Sequence, residues 1–291
     1  MNGKPILAAQ FAGHEHLETL NFILTNYLPR KTLTRFVGWL SRIEHPVLAA
    51  TLIWIWQRFA EDLNFAEAKE RKFRSLHACF VRELAPGARP VDARPEVVVS
   101  PCDAVVGAHG VIERGELLQV KGSTYPLSDL LQSSDIDQFR GGAYVTLRLK
   151  SSMYHRFHAP LDCTVSGVTF VPGEFWNVNP PTLKRVDRLF CRNERAVIPL
   201  DVAVGRVTLV PVAAILVASL KLDALESALD MNWRGPGVLS CHARYRKGEQ
   251  MGYFQHGSTI IVLTSANYEI EAGIETGATI RMGQPLLRVR S

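Results

Sequence analysis

The sequence predicts an α+β protein, in which a helical N-terminal region precedes a β-rich core of antiparallel sheets arranged like a barrel or a sandwich. Residues 15–84 contain long windows without turn residues, which favours helix. Residues 96–291 instead contain short apolar runs separated by Gly, Pro and Asn, which favours strands. Hydrophobic residues make up 47% and charged residues 21% of the 291, which is typical of a globular chain.

The boundary between the two regions is predicted at residues 85–90, Ala-Pro-Gly-Ala-Arg-Pro. Its two prolines and its glycine oppose a continuing helix. We therefore expect a helical region over 1–84 and a β-rich domain over 85–291.

Charge and cysteine content narrow the cellular setting. The net charge of +5 favours anionic partners without choosing between acidic lipid and nucleic acid. The five cysteines are odd in number and form no CxxC pair, which argues against a disulfide scaffold and a structural zinc site. The first residues lack the pattern of a signal peptide. These features predict a location in the cytoplasm or on a membrane facing it.

The first helical segment has two unlike faces. Its apolar positions follow helical spacing at Leu33, Phe36, Val37 and Leu40. The basic residues on the opposite side are Lys31, Arg35 and Arg42. This pattern fits a helix lying in a membrane interface, and it also fits an ordinary amphipathic helix packed on a core.

The uncharged run over residues 46–56 follows. It is too short to span a bilayer, which needs about 20 residues. Trp54 and Trp56 suit a monotopic anchor with both indoles at headgroup depth, and a buried core helix is the alternative.

Two motifs in the β-rich region carry polar side chains suited to catalysis. Asp103 follows an apolar run and either orients a histidine or closes a turn. His155 and His158 lie three residues apart. Imidazoles suit general acid–base work near neutral pH, and no HExxH or CxxC partner points to a metal site.

A third motif, Gly257-Ser258-Thr259, directly precedes a predicted strand. The serine hydroxyl can attack the open glycine carbonyl and convert the amide to an ester, or the motif is a plain turn. A second copy starts at Gly122 and is followed by Tyr125-Pro126 rather than by an apolar run, so we interpret it as a turn.

These motifs, in this order, resemble the phosphatidylserine decarboxylase family. The family carries a Pro-x-Asp element, a Tyr-His-Arg-x-His-x-Pro motif and a Gly-Ser-Thr near the C-terminus. The supporting matches are residues 119–122, 172–175, 189–195 and 247–254. The resemblance covers roughly residues 60–291.

The resemblance implies a self-cleaving proenzyme. Asp103 would orient and polarise His158, and His158 would deprotonate Ser258 for attack on Gly257. Elimination of the resulting ester would leave a large chain, 1–257, and a small chain, 258–291. Ser258 would become a pyruvoyl group, with loss of ammonia.

The resemblance also implies the reaction. The amine of phosphatidylserine would form a Schiff base with the pyruvoyl group, CO₂ would leave, and phosphatidylethanolamine would be released. His155 would help to return a proton. This scheme requires neither a metal nor pyridoxal phosphate.

A lipid substrate favours the interfacial interpretation of the helical region. The resemblance thus implies a peripheral or monotopic protein at the cytoplasmic face of the cell membrane. Its partners would be phospholipid and its own two chains, and not nucleic acid, with a homodimer left open. The residues expected to bind the membrane are Lys31, Arg35, Arg42, Trp54 and Trp56.

Other functions stay open on the residues alone. They are a family member acting on a soluble amino acid, an amidohydrolase using a new N-terminal amine, and a non-catalytic membrane-binding protein. The sequence also departs from the family pattern at His256, where Leu is usual, and at Ala104, where Gly is frequent.

Overall fold

The computed structural model describes residues 30–60, 63–120, 123–215, 219–230, 233, 235, 237–255 and 258–290. Its helices are short and lie mainly in the N-terminal region. They are α1 (Arg30–Ser41), α2 (Pro46–Phe59), α3 (Leu76–Phe80), α4 (Leu127–Leu131), α5 (Pro180–Leu183) and α6 (Leu189–Arg192).

Strands make up most of the regular structure. They are β1 (Val97–Val99), β2 (Ala104–Val111), β3 (Glu116–Val120), β4 (Ser123–Pro126), β5 (Ala143–Leu149), β6 (Arg156–His158), β7 (Cys163–Val171), β8 (Arg195–Leu200), β9 (Val207–Ala213), β10 (Ser219–Leu222), β11 (Leu229–Asp230), β12 (Val238–Tyr245), β13 (Gln250–Phe254), β14 (Ser258–Thr264), β15 (Tyr268–Ile270), β16 (Thr279–Ile280) and β17 (Pro285–Val289).

The strands form antiparallel sheets, as predicted for the core. Among the described residues, the largest sheet has the order β12-β7-β8-β9-β14-β5-β2-β16, and a second has the order β11-β10-β13-β6. A three-stranded sheet, β1-β17-β15, and the hairpin β3-β4 complete the set.

Strand β14 lies inside the large sheet and is buried on both faces. Ile260 and Val262 pack in one hydrophobic core, which also contains residues of β6, β10 and β13. Ile261 and Leu263 pack in the other core, which contains residues of α4, α5 and α6. Because both faces are covered, the strand has a continuous apolar sequence rather than an alternating one.

The N-terminal region is less helical than the sequence predicts. Between α2 and α3 the described residues contain only a 3₁₀ turn, Phe65–Glu67. The chain instead extends to pair Ala68 with Leu84, and the Lys69 amide donates to the Glu83 carbonyl at 2.9 Å. Long-range pairing of this kind overrides local helix preference. The part of the prediction that concerns residues 1–29 lies outside the described residues.

Helix α1 leaves two aromatic side chains exposed. Phe36 is 54% exposed and Trp39 is 61% exposed, whereas Thr34 and Ser41 are buried. The other apolar positions of the predicted face, Leu33, Val37 and Leu40, are half-buried. None of the helices in the described residues is long and apolar enough to span a membrane.

The interpretation of the second Gly-Ser-Thr copy as a turn is wrong. Ser123 begins strand β4, which pairs with β3 in a two-stranded hairpin. The two copies therefore differ in burial rather than in secondary structure, because Ser123 is half-buried while Ser258 is fully buried.

Candidate active site

Ser258 is the first residue of β14 and has no exposed surface. Its backbone lies between Leu149 of β5 and Ala213 of β9. Its Oγ atom is buried and has no hydrogen-bond partner among the described residues. An unsatisfied buried hydroxyl costs free energy, so such a group is a candidate for chemistry. Gly257, the other half of the predicted cleavage site, lies outside the described residues.

The chain changes sheets just before Ser258. Strand β13 ends at Phe254 in the four-stranded sheet, and β14 begins at Ser258 in the large sheet. A chain of this length spans at most about 14 Å. The Phe254 amide donates to the His155 carbonyl at 3.0 Å. Ser258 therefore lies near the segment, residues 155–158, that carries the two predicted catalytic histidines.

His158 lies on β6 and is 9% exposed. Its Nδ1 lies 2.9 Å from the Gly248 carbonyl oxygen, which can only accept, so we assign the proton to Nδ1. Its Nε2 is then the basic nitrogen and accepts from the Tyr154 hydroxyl at 3.0 Å. Burial lowers the pKa of His158 below its usual 6.5, although the Gly248 hydrogen bond acts in the other direction. The imidazole is thus neutral at physiological pH and able to accept a proton.

His155 directly precedes Arg156 in the sequence, and its surroundings differ from those of His158. It is fully buried, and its ring centroid lies 4.0 Å from that of Phe80 in α3. Its Nδ1 lies 2.8 Å from the Met153 carbonyl oxygen, so the proton is again assigned to Nδ1. Both histidines therefore carry the proton on Nδ1, but only His155 packs against the Phe80 ring.

Asp103 is 6% exposed and bound by a guanidinium. Arg89 donates from Nε to Oδ1 at 2.9 Å and from Nη2 to Oδ2 at 2.5 Å, and the Met282 amide donates to Oδ1 at 2.9 Å. The hydrogen bonds described for Asp103 and for His158 do not join the two side chains. The predicted orienting role thus has no direct hydrogen bond in this structure.

Backbone contacts nevertheless hold the aspartate segment beside the histidine strand. The His158 amide donates to the Pro101 carbonyl at 2.8 Å. The Asp103 charge is close enough to favour the protonated form of His158, which raises its pKa against the effect of burial. Asp103 therefore influences His158 through its electrostatic field.

Sequence reasoning missed several residues of this site. Arg89 lies in the predicted connector, its side chain is only 7% exposed, and it also pairs with Glu67 at 2.8 Å. The position of Arg89 between two prolines marks a connector, but no local sequence feature links this arginine to Asp103. The sequence around Phe80 predicts a helix and does not indicate a contact with His155.

At position 104 this chain has Ala where the family frequently has Gly, and the backbone accommodates the change. Ala104 begins β2 with a negative φ, so its position does not require glycine. The departure at His256 lies outside the described residues. In the part of the chain that the structure describes, no group of three or more His, Cys, Asp and Glu side chains could hold a metal ion.

A buried serine at the start of a central strand, one short connection away from the segment that carries His155 and His158, defines a protein with candidate serine–histidine chemistry. The phosphatidylserine decarboxylase family model matches residues 76–288. The chain belongs to the phosphatidylserine decarboxylase family.

Named relatives match over nearly the whole chain. A phosphatidylserine decarboxylase proenzyme of Shewanella baltica strain OS155 is 33% identical over 286 residues, which cover 94% of this chain and 98% of the relative. Proenzymes of the same name from Shewanella sp. strains ANA-3 and W3-18-1 are 32% and 33% identical, with 98% and 97% of each relative covered.

The buried contact between Arg89 and Asp103 generates a stability prediction. Arg89→Gln should lower the free energy of unfolding by about 3–5 kcal/mol, because it leaves a buried carboxylate without its cation. Asp103→Asn in the same chain should restore part of this loss. The measurement is urea unfolding in a Ser258→Ala background, which keeps the chain uncleaved.

The matched control for this prediction is Arg94→Gln. Arg94 is 56% exposed and pairs with Asp92 at 2.8 Å. Its replacement should leave the unfolding free energy nearly unchanged, because exposed ion pairs contribute little. Equal losses for Arg89→Gln and Arg94→Gln would contradict the role given to burial.

Proposed function

We propose that this chain is a proenzyme that cleaves itself between Gly257 and Ser258 and then decarboxylates phosphatidylserine to phosphatidylethanolamine. Family membership supports the reaction. The observation that carries the proposal in this chain is the buried Ser258 hydroxyl, which has no hydrogen-bond partner among the described residues. The finer assignments of residues, chains and membrane contacts below are part of the proposal.

The self-cleavage step uses only groups of this chain and water. Ser258 Oγ loses its proton and attacks the Gly257 carbonyl carbon, the C–N bond breaks, and an ester replaces the amide. Loss of the Cα proton then expels the Gly257 carboxylate and leaves a dehydroalanine at position 258. Its imine form reacts with water and releases ammonia, which completes a pyruvoyl group.

The position of Ser258 suits a group of this kind. The pyruvoyl group supplies a carbonyl that takes up the substrate amine and an electron sink for the carbanion left by CO₂. The surrounding strands β5 and β9 exclude water from position 258, so charge developing there is weakly screened.

His158 is the proposed base for the Ser258 proton. Its Nε2 is the basic nitrogen because Gly248 holds the proton on Nδ1. In this structure the Tyr154 hydroxyl donates to Nε2. This hydrogen bond must break before Nε2 can accept the proton of the Ser258 hydroxyl. Asp103 stabilises the imidazolium through space.

His155 is the proposed partner in returning a proton to the substrate carbon. The Met153 carbonyl fixes its tautomer and Phe80 fixes its ring plane. The remaining nitrogen, Nε2, is therefore the one that exchanges a proton.

We also propose that α1 and α2 hold the enzyme on a phospholipid surface. Phe36 and Trp39 on α1 and Trp54 on α2 are more than half exposed, as expected for side chains that enter a bilayer interface. Location at the cytoplasmic face and a homodimer stay predictions.

Three of the five residues predicted to bind the membrane are not part of the proposed membrane face. Trp56 is half-buried with its ring 5.7 Å from Phe80, so it packs inward. Arg42 hydrogen bonds to Gln255, and the side chain of Lys31 lies outside the described part of the chain. Arg35 and Trp54 are exposed, so the proposed membrane face consists of Arg35, Phe36, Trp39 and Trp54.

An intact mass spectrum of the purified protein tests the cleavage proposal. The wild-type chain should appear as residues 1–257 and a small chain lighter than Ser258–Ser291 by the mass of one ammonia molecule. Ser258→Ala should give only the full-length chain of 32.4 kDa and no decarboxylation, because the attacking hydroxyl is gone.

Ser123→Ala is the matched control, since Ser123 begins the second Gly-Ser-Thr strand. This variant should mature like the wild type. A small chain with an unmodified N-terminal serine would instead favour the amidohydrolase, and cleavage of Ser258→Ala would contradict the assigned site.

The lowered pKa of His158 predicts the pH dependence of self-cleavage. The base is neutral above its pKa, so the midpoint of the pH–rate curve should lie below the usual histidine value of 6.5, with slower cleavage in more acidic buffer. Tyr154→Phe should move the midpoint to higher pH, because the lost donor stabilised the neutral ring. The measurement follows loss of the full-length band after cell-free synthesis, and a wild-type midpoint above 6.5 would contradict the assignment.

Vesicle flotation tests the membrane proposal. Phe36→Glu combined with Trp39→Glu should reduce binding to phosphatidylserine-containing vesicles at least tenfold, since each aromatic side chain contributes about 1.5–3 kcal/mol of apolar transfer. Val238→Glu replaces an equally exposed apolar residue on β12 and should bind like the wild type. Equal binding by all three proteins would show that α1 does not contact lipid.

A further inference from the structure

A cavity of about 790 Å³ lies between the N-terminal region and the strands that carry the histidines. Its walls come from four places in the sequence. Residues 42–44 follow α1, residues 69–83 include helix α3, Arg156 belongs to β6, and Tyr253 belongs to β13. None of these residues is a member of the proposed serine–histidine set.

The lining of this cavity is predominantly basic. Its cationic residues are Arg42, Lys69, Lys72, Arg74, Arg82 and Arg156. Its acidic residues are Glu44, Glu70 and Glu83. Glu83 pairs with both Lys69 and Arg156, at 2.7 Å and 3.5 Å, and Glu44 pairs with Arg74 at 3.1 Å. Positive charge therefore remains in excess.

Arg82 is the residue whose position requires explanation. It is only 6% exposed, and its Nη atoms reach the carbonyl oxygens of Cys79 at 3.4 Å and Ser152 at 3.2 Å. Its Nε has no hydrogen-bond partner, and no carboxylate forms an ion pair with it, among the described residues. Burial lowers the pKa of this guanidinium. A buried charge without a counter-ion is costly in free energy. A bound anion would offset the desolvation cost of Arg82.

The cavity adjoins the proposed active site. Phe80, two residues before Arg82, contacts the His155 ring. Arg156 follows His155 directly, donates from Nε to the Val81 carbonyl at 2.9 Å, and lies over the Tyr253 ring at 5.3 Å. An anion between Arg82 and Arg156 would thus lie close to the segment that carries His155.

We propose that Arg82 and Arg156 form a phosphate site that binds the phosphodiester of the substrate headgroup, with Lys72 at its rim. This inference rests on the proposed function and identifies the part of the site that distinguishes a phospholipid from a free amino acid. In phosphatidylserine only three covalent bonds separate the phosphorus from the carbon that loses CO₂. A phosphate site must therefore adjoin the reacting atoms, as this cavity adjoins His155.

The chemistry of the lining suits a phosphodiester. Guanidinium groups bind the two free oxygens of a phosphate through paired N–H donors. The basic excess would also attract an anionic headgroup from the membrane surface. L-serine carries no phosphate and would gain nothing from Arg82, which would explain discrimination against the free amino acid.

Isothermal titration of the uncleaved Ser258→Ala chain tests this site without any dependence on maturation or turnover. The probes are glycerophospho-L-serine, inorganic phosphate and L-serine. Arg82→Gln should weaken glycerophosphoserine binding at least tenfold, because a charge-assisted hydrogen bond of about 1.5–3 kcal/mol is lost. Arg82→Lys should lose less, and L-serine binding should not respond to either change.

Two further variants separate binding from folding. Lys72→Gln changes an exposed side chain and should weaken glycerophosphoserine binding severalfold without altering the thermal unfolding midpoint. Arg288→Gln removes an exposed arginine that pairs with Glu269 at 2.6 Å and should bind like the parent chain.

The outcomes are distinct. Unchanged glycerophosphoserine affinity in both Arg82→Gln and Lys72→Gln would overturn the phosphate site. Inorganic phosphate that binds as tightly as glycerophosphoserine, with the same dependence on Arg82, would overturn the assignment to a lipid headgroup in favour of free phosphate. Absence of self-cleavage in the wild type would overturn the proposed function, and the titration would still report on Arg82.

Discussion

The short crossing between two sheets is the constraint on which the candidate site depends. The chain leaves β13 at Phe254 and enters β14 at Ser258, so few residues connect two separately hydrogen-bonded sheets. Pairing of β13 with β6 fixes His158 at one end of this connection, and the backbone hydrogen bond from Phe254 holds His155 beside it. Pairing of β14 with β5 and β9 fixes Ser258 at the other end.

Buried charge forms the second organising feature. Arg89 in the connector binds Asp103 of the core and Glu67 of the N-terminal region, with little exposure of either partner. These contacts tie the helical region to the sheet that carries the site. Arg82 differs because no carboxylate of the described chain neutralises it. The contrast separates a guanidinium with a carboxylate partner from one that has none among the described residues.

The proposals assign one route to a lipid substrate. The exposed aromatic face of α1 would contact the bilayer, and Arg42, directly after α1, lines the basic cavity and contacts Gln255 near the proposed cleavage site. The cavity in turn adjoins His155 through Phe80. A headgroup held by its phosphate would therefore keep its acyl chains near the membrane while its serine moiety reached position 258.

The sequence by itself determined the β-rich antiparallel core, the family, and the identity of Ser258, His155, His158 and Asp103 as candidates, because apolar periodicity and local motifs are written in consecutive residues. Only the tertiary structure decided their partners. It paired Asp103 with Arg89 rather than with His158, turned Trp56 inward and made Ser123 a strand residue. It also buried Arg82 with no carboxylate partner among the residues it describes. Contacts of this kind join residues far apart in the chain, and burial depends on what packs above them, so no local pattern could specify them.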